Sequence, residues 1–278
     1  MYVVERWLAR LSSSPYADDF VLKGGMLLAS FGNRRPTVDA DTLARHMPAE
    51  HDAVARRVTQ IASLRAADDD GVEFLVDTVT TSTIRDDALY SGVRVVMDAR
   101  LATAQVKLRL DVNFGDPVTP APRVVELPAL RPDTPPIRIL GYPVETVLAE
   151  KLVTAMALGR ANTRVRDFAD VHLLTGSQRP RCEDVRSAIA ATADFRGVAI
   201  TPLREATAGL AALRASTYGA YRRALGSAGG SLPSSLADLL DAVAVFADPV
   251  VTDLDPHATW DPDVRTWRGA PTSGEARA

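Results

Sequence analysis

The sequence of 278 residues has little cysteine and little histidine, and each scarcity argues against a class of site. The one cysteine, Cys182, cannot form an intramolecular disulfide, and no paired cysteines suggest a zinc motif. The four histidines lie at no familiar metal-ligand spacing. We therefore expect a protein of the reducing cytoplasm without a disulfide framework or a cysteine–histidine metal centre.

The sequence also lacks long apolar runs and an excess of positive charge. The N-terminal stretch, MYVVERWLARLSSSPYADDF, carries acidic residues, so we expect an amphipathic helix and neither a secretion signal nor a membrane span. With 46% hydrophobic and 24% charged residues, the composition is that of an ordinary globular protein. The formal net charge of −3 does not fit a general nucleic-acid coat protein.

Local groups of arginine could still bind a nucleic acid on an acidic protein. The sequence offers three: Arg34 with Arg35, Arg160 with Arg164 and Arg166, and the segment from Tyr218 to Arg223. The alternative for each group is a solvated helix or loop face.

Two aspartates one residue apart, Asp39 and Asp41, are the best indication of chemistry. Along an extended strand, side chains at i and i+2 project to the same side, so the two carboxylates can share divalent cations. Upstream, Gly24 and Gly25 let backbone amides approach a phosphate closely, which a Cβ would hinder. Together these residues predict a site for a metal-bound nucleoside triphosphate (NTP). Alone, an Asp-x-Asp in a polar loop is more typical of a solvated turn.

Hydrophobic periodicity predicts an α+β protein. We expect an apolar helix over 20–32, a short strand with the aspartates over 37–41 and a helix over 49–66. Three alternating segments, GVEFLVDTVT, SGVRVVMDAR and TAQVKLRLDVNF, predict an antiparallel meander. The proline-rich stretch that follows predicts an extended arm or a crossing strand, and the pattern is helical from Gly141 onward. The expected lobes are a sheet lobe over 1–140 and a helical lobe over 141–268, with a fraying tail over 269–278.

Asp111 lies on the polar face of the third alternating segment. It is a candidate third carboxylate if this strand lies beside the strand with Asp39 and Asp41. The alternative is structural, because an alternating strand needs polar residues on its open face.

The helical half contributes a second set of charged residues. Lys151 lies between leucines in LAEKLVTA, where it could contact a triphosphate or extend past the edge of an apolar stripe. In RVRDFADVHLL, the spacing places Arg166, Asp167 and Asp170 on one helix face. A surface ion pair would have the same spacing.

The order of these motifs resembles the AbiEii/AbiGii family of bacterial nucleotidyltransferase toxins, within the DNA polymerase β-like nucleotidyltransferase superfamily. The resemblance covers residues 20–175: Gly-Gly, Asp-x-Asp, a strand aspartate, Glu-Lys-Leu on one helix and Arg-Asp-x-x-Asp on the next. It implies a nucleotidyltransferase-fold lobe with a mixed or antiparallel sheet and flanking helices, whose active site is completed by a C-terminal helical lobe. It also implies residue roles: Asp39, Asp41, Lys151 and Asp170 as catalytic residues, Asp39, Asp41 and Asp111 as metal ligands, and Lys23, Gly24, Gly25, Thr37 and Arg166 around the nucleotide.

Two positions depart from the family pattern. Ala40 and Thr42 stand where the family often has hydrophobic residues, which weakens strand propensity but leaves the carboxylates in place. Asp111 matches the third-strand motif in position, although not every member uses that acid.

The resemblance implies that an NTP bound with Mg²⁺ or Mn²⁺ donates its nucleotide to an acceptor hydroxyl. The favoured acceptor is the 3′ end of tRNA, whose modification would block translation. A protein acceptor, a small-molecule acceptor and a catalytically inactive nucleotide-binding module are the alternatives. Asp170 would orient Lys151 or Arg166, or activate the acceptor. The expected partner is a winged-helix antitoxin encoded nearby, and no membrane is involved.

Overall fold

The computed structural model describes residues 1–35, 37–66, 69–86 and 90–269. They form two compact units: Met1–Asp116 with Ala121–Tyr142, and Pro117–Pro120 with the chain from Pro143 onward. The predicted tail falls outside the described residues from position 270.

The first unit is built on a mixed sheet of seven strands in the order β3-β4-β5-β2-β1-β7-β6. The β2–β5 and β1–β7 pairs are parallel and the other neighbours are antiparallel. The strands are β1 (Phe20–Lys23), β2 (Ala40–Ala44), β3 (Val72–Asp86), β4 (Tyr90–Leu101), β5 (Ala104–Asn113), β6 (Arg123–Leu127) and β7 (Ile137–Gly141).

Three helices accompany this sheet: α1 (Tyr2–Ser12), α2 (Gly24–Leu27) and α3 (His51–Ala62). The amphipathic helix predicted at the N-terminus is α1, which packs against β5 and β7, while α3 packs against β3 and β4. The indole of Trp7 donates a hydrogen bond to the carbonyl of Val58 at 3.3 Å and so ties α1 to α3. Alternating residues of β4 and β5 form the core beneath them, among them Val95, Leu108 and Leu110, all fully buried. The intervening polar residues of β4 and β5 therefore share the opposite face of the sheet.

The predicted meander is confirmed as β3, β4 and β5, and the predicted helix over 49–66 is the shorter α3. The apolar helix predicted over 20–32 was wrong at its start, because residues 20–23 pair with β2 as strand β1. The strand predicted over 37–41 lies later, at β2, so that Asp39 precedes it. Of the two alternatives for the proline-rich stretch, the strand is confirmed, since the stretch supplies β6 and β7.

The second unit is mainly helical, as predicted. Its helices are α4 (Val144–Leu158), α5 (Val165–Thr175), α6 (Cys182–Arg196), α7 (Leu203–Ala206), α8 (Leu210–Ala224) and α9 (Leu236–Val251). The apolar α9 lies at the centre, in contact with α5, α6, α7 and α8. A short hairpin, β8 (Thr259–Asp261) with β9 (Thr266–Arg268), was not predicted, and its Trp260 is buried against Phe246 of α9.

The α+β class with a mixed sheet, flanking helices and a helical second part is confirmed. Within the described ranges, no helix has the length and apolar character needed to cross a membrane.

Candidate active site

Four charged residues form a row across the centre of the sheet. Lys23 on β1 is in register with Asp41 on β2, Asp41 with Asp111 on β5, and Asp111 with Arg94 on β4. Register partners on adjacent strands project to the same face. Long-range pairing therefore assembles a row with the charges plus, minus, minus, plus from four separate stretches of the chain. It also meets the condition set for Asp111, whose strand lies directly beside that of Asp41.

The two aspartates of the Asp-x-Asp motif flank a fully buried residue. Ala40 is 0% exposed, whereas Asp39 and Asp41 are both half-buried. This alternation indicates that the two carboxylates share the outer side of the strand start. The hydroxyl of Thr37 donates a hydrogen bond to Oδ1 of Asp39 at 2.8 Å, so Thr37 orients the first carboxylate. Two accessible carboxylates in this arrangement form a donor set that fits Mg²⁺, which prefers oxygen ligands.

Gly24 lies directly against the second carboxylate. Its φ of +65° is in the left-handed region, and a Cβ added there would lie 2.0 Å from Oδ2 of Asp41. Glycine is therefore required both for the backbone conformation and for the close approach of Asp41. The next residue, Gly25, is covered by a guanidinium, since a Cβ there would lie 3.3 Å from Cζ of Arg35. The Gly-Gly turn thus brings backbone, carboxylate and guanidinium together.

Lys23, which was predicted to lie near the nucleotide, is only 7% exposed and pairs inside the unit. Its Nζ lies 2.6 Å from Oδ2 of Asp116 and 5.1 Å from the ring centre of Tyr142. Asp116 is itself 7% exposed, so the two charges form a buried pair. This pairing supports a role for Lys23 in holding the end of β1 in place.

Asp111 is bound by an arginine that was not predicted. Nε of Arg94 donates to Oδ1 of Asp111 at 2.8 Å, and Nη2 donates to Oδ2 at 2.7 Å. This hydrogen bonding to Asp111 raises the pKa of Arg94, with smaller contributions from Asp39 and Asp41. The charges of Asp39 and Asp41 therefore also stabilise the protonated form of Arg94. Among the described residues, no three Asp, Glu, His or Cys side chains converge on a metal position, so the predicted trio is not assembled in this structure.

In the second unit, Lys151 of α4 contacts two aspartates of α5. Its Nζ lies 2.7 Å from Oδ1 of Asp167 and 2.8 Å from Oδ2 of Asp170. Burial alone would lower the pKa of Lys151, but the two carboxylates outweigh burial and raise it above its ordinary value. Lys151 is thus charged, with 13% of its side chain exposed. Of the roles considered for Asp170, this contact favours orientation of Lys151.

Arg166, Asp167 and Asp170 all lie on α5, and the two aspartates contact Lys151. Asp167 and Asp170 are 4% and 2% exposed, whereas Arg166 is exposed to solvent. Arg164, just before the helix, takes the place beside the aspartates, with Nε 2.6 Å from Oδ2 of Asp167. The physical reason is that Lys151 and Arg164 already neutralise the buried carboxylates, so Arg166 can remain in water.

Sequence reasoning missed Arg94 and Asp116. A hairpin signal could have found Arg94, because the turn at Ala102 and Thr103 pairs Leu101 with Ala104 and so fixes the register of β4 on β5. Counting back from that turn places Arg94 opposite Asp111. No comparable signal identifies Asp116, whose pairing with Lys23 spans 93 positions.

A solved structure shares this fold. A Helicobacter pylori protein provisionally assigned as a nucleotidyltransferase matches with a TM-score of 0.52 at 16% identity, over 91% of this chain and 93% of that one. A second structure, of JHP933 from the same organism, has a TM-score of 0.46 at 15% identity, over 91% and 90%. No curated protein matches the chain. At this identity the likeness shows a shared fold.

The family is shown by a match over residues 6–245 to the model for the nucleotidyl transferase AbiEii toxins of type IV toxin–antitoxin systems. The chain belongs to this family. Membership also implies a cognate antitoxin as partner.

Proposed function

We propose that the protein transfers a nucleoside monophosphate from an NTP to an acceptor hydroxyl. A bond forms between the acceptor oxygen and the α-phosphorus, the bond from the α-phosphorus to the bridging oxygen breaks, and pyrophosphate leaves with that electron pair. The acceptor proton passes to a base or to solvent. The observation that carries this proposal is the pair Asp39 and Asp41, two half-buried carboxylates on either side of fully buried Ala40.

In this proposal Asp39 and Asp41 hold Mg²⁺, or Mn²⁺ in its place. When bound, the metal would offset charge on the phosphoryl group. Thr37 keeps the Asp39 carboxylate oriented through its 2.8 Å hydrogen bond. Gly24 and Gly25 are proposed to lie beside the triphosphate. The missing Cβ at Gly24 makes room for the Asp41 carboxylate, and the nearest side chain to Gly25 is the guanidinium of Arg35.

Lys151 is proposed to offset charge on the departing pyrophosphate. Its Nζ has two carboxylate partners, which hold the ammonium group in one position and keep it protonated. Asp170 and Asp167 are positioning residues in this scheme, since they act through the lysine. A preorganised cation of this kind needs no rearrangement as charge develops.

The proposed acceptor is the 3′ end of a tRNA. Its support on this chain is the arginine group of Arg160, Arg164 and Arg166, a stretch that contains no acidic residue. The structure adds Arg214 of α8, whose Nε donates to the carbonyl of Asn162 within the same stretch at 3.0 Å. Arg214 therefore lies beside this arginine-containing stretch, and such a group would suit a phosphate backbone. NTP and tRNA as substrates would place the protein in the cytoplasm, and the proposed antitoxin is of the winged-helix type.

The direct test uses the purified full chain with NTPs labelled at the α-phosphate, Mg²⁺ and total tRNA. We expect label on tRNA with wild type and none with Asp39→Ala. Label on the protein alone would reject tRNA as acceptor while sparing nucleotidyl transfer. Absence of label from every acceptor, including added protein and small-molecule hydroxyls, would reject the transfer itself.

A growth assay separates chemistry from binding. Expression of wild type is expected to arrest growth, and Asp39→Ala and Lys151→Ala should abolish the arrest at equal protein levels. If both variants stayed as toxic as wild type, the toxicity would come from binding by an inactive module.

A further inference from the structure

The predicted third metal carboxylate is already engaged in the structure. Both oxygens of Asp111 accept hydrogen bonds from Arg94, at 2.8 and 2.7 Å, in a bidentate arrangement. Such a pair is among the strongest and most directional in proteins. Only 11% of the Asp111 side chain is exposed, whereas 46% of the Arg94 side chain is exposed. The carboxylate is thus covered by the arginine.

The same arginine faces the proposed metal ligands. Arg94 is the register partner of Asp111 on the antiparallel pair of β4 and β5, so the two side chains share one face of the sheet. Asp41 and Asp111 are register partners on the parallel pair β2 and β5. Replacing Arg94 would remove one positive charge from this row and leave the Asp111 carboxylate without its bidentate partner.

We infer that Arg94 withholds Asp111 from the metal, so that the cation is held by Asp39 and Asp41 alone, and that Asp111 serves to position Arg94 beside them. Arg94 is then a residue that sets metal affinity, and Asp111 is a positioning residue. This inference rests on the proposed metal site. The rival arrangement is that Asp111 leaves Arg94 and becomes a third ligand when the metal binds.

A charge-matched double variant distinguishes the two arrangements. Arg94→Gln with Asp111→Asn removes one charge of each sign, so the net charge around Asp39 and Asp41 stays that of wild type. The two amide side chains can still hydrogen bond to each other across β4 and β5. If Asp111 is not a ligand, this variant binds metal as wild type does. If Asp111 is a ligand, the variant binds the metal more weakly, although the net charge around Asp39 and Asp41 is unchanged.

The experiment measures Mn²⁺ binding by titration calorimetry and by the electron paramagnetic resonance signal of free Mn²⁺, without NTP. For the double variant we expect a dissociation constant within about twofold of wild type. For Arg94→Gln alone we expect binding about tenfold tighter, because one repelling charge is gone and a carboxylate is released. The control is Arg100→Gln on the same strand, whose exposed pair with Glu73 has no bearing on the site; its binding should match wild type.

The inference is overturned if the double variant loses Mn²⁺ binding to the extent that Asp41→Asn does. Failure of the proposed metal site would look different, because Asp39→Asn and Asp41→Asn would then both bind Mn²⁺ as wild type does. Arg94→Gln alone leaves Asp111 buried and unpaired, so circular dichroism is recorded for each variant. If that single variant does not fold, the double variant decides the question by itself.

Discussion

At the scale of single residues, Gly24 carries two requirements that can be measured separately. Its backbone has a positive φ of +65°, and the Asp41 carboxylate occupies the place of a Cβ. Gly32 shares only the first requirement, with φ of +81° and nothing within 4 Å of an added Cβ. The two glycines therefore form a matched pair, in which Gly32 reports backbone strain and Gly24 reports strain plus displacement of Asp41.

We expect Gly32→Ala to cost about 1 kcal/mol of folding stability through strain alone. Gly24→Ala should cost a further amount of about 1–3 kcal/mol, because even Cβ of Asp41 would lie only 2.8 Å away and the whole side chain must move. It should also weaken Mn²⁺ binding, whereas Gly32→Ala should not. Urea denaturation and Mn²⁺ titration measure both effects. Equal behaviour of the two variants would show that the approach of Asp41 to Gly24 has no consequence.

The residue scale also shows what a sequence pattern can predict. Asp39, Asp41 and Lys151 could be predicted as site residues because local spacing and the order of motifs can be read directly from the sequence. Arg94 looks like any polar residue on the open face of an alternating strand, and only the register of β4 against β5 reveals its partner. Asp116 is a similar case, because its burial with Lys23 depends on packing that no local pattern records.

At the scale of elements, Lys151 connects α4 to two buried aspartates of α5. Burial alone would raise the pKa of Asp167, but Lys151 and Arg164 outweigh it and lower the pKa from 3.8 to about 2. A carboxyl group whose pKa is depressed by folding stabilises the folded state above its unfolded pKa, and that contribution is lost as pH falls towards the folded pKa. The contribution is therefore lost between about pH 5 and pH 1.

Asp167→Asn should therefore destabilise the protein by about 2 kcal/mol at neutral pH. The difference from wild type should be about half as large at about pH 3, small at about pH 2, where the wild-type carboxyl is half protonated, and absent at about pH 1. Urea denaturation followed by circular dichroism at each pH measures it. Asp241→Asn is the control, since its pair with Arg204 is exposed and should contribute less than about 1 kcal/mol. A difference that stayed constant down to pH 2, roughly, would contradict this electrostatic account.

The strands differ in how far the sequence predicts them. Strands β3, β4 and β5 follow from the alternation of apolar and polar residues, and the two-residue turn between Leu101 and Ala104 joins β4 to β5. Strand β1 is buried along its whole length, so its apolar run does not distinguish a strand from a helix. Strands β6 and β7 lie in a proline-rich stretch, and their place at the sheet edge depends on the long-range pairing of β7 with β1.

At the scale of the whole molecule, an acidic protein carries a local basic group. The net charge is −3, yet residues 159–166 include three arginines without an acidic residue, and Arg214 joins them through its hydrogen bond to Asn162. Long-range attraction to RNA is therefore weak, and binding should depend on short-range contacts with phosphates. Such contacts release counterions, so they are recognised by their salt dependence.

We expect the double variant Arg160→Ala with Arg166→Ala to bind tRNA more weakly, since both side chains are exposed. The slope of log affinity against log salt should become shallower by about 1.5, because each phosphate contact contributes roughly 0.7 to 0.9. Fluorescence anisotropy with tRNA between about 50 and 200 mM salt measures this slope. The control is Arg204→Ala, an equally exposed arginine that pairs with Asp241. An unchanged slope in the double variant, or the same loss in the control, would show that the arginine group does not bind the RNA backbone.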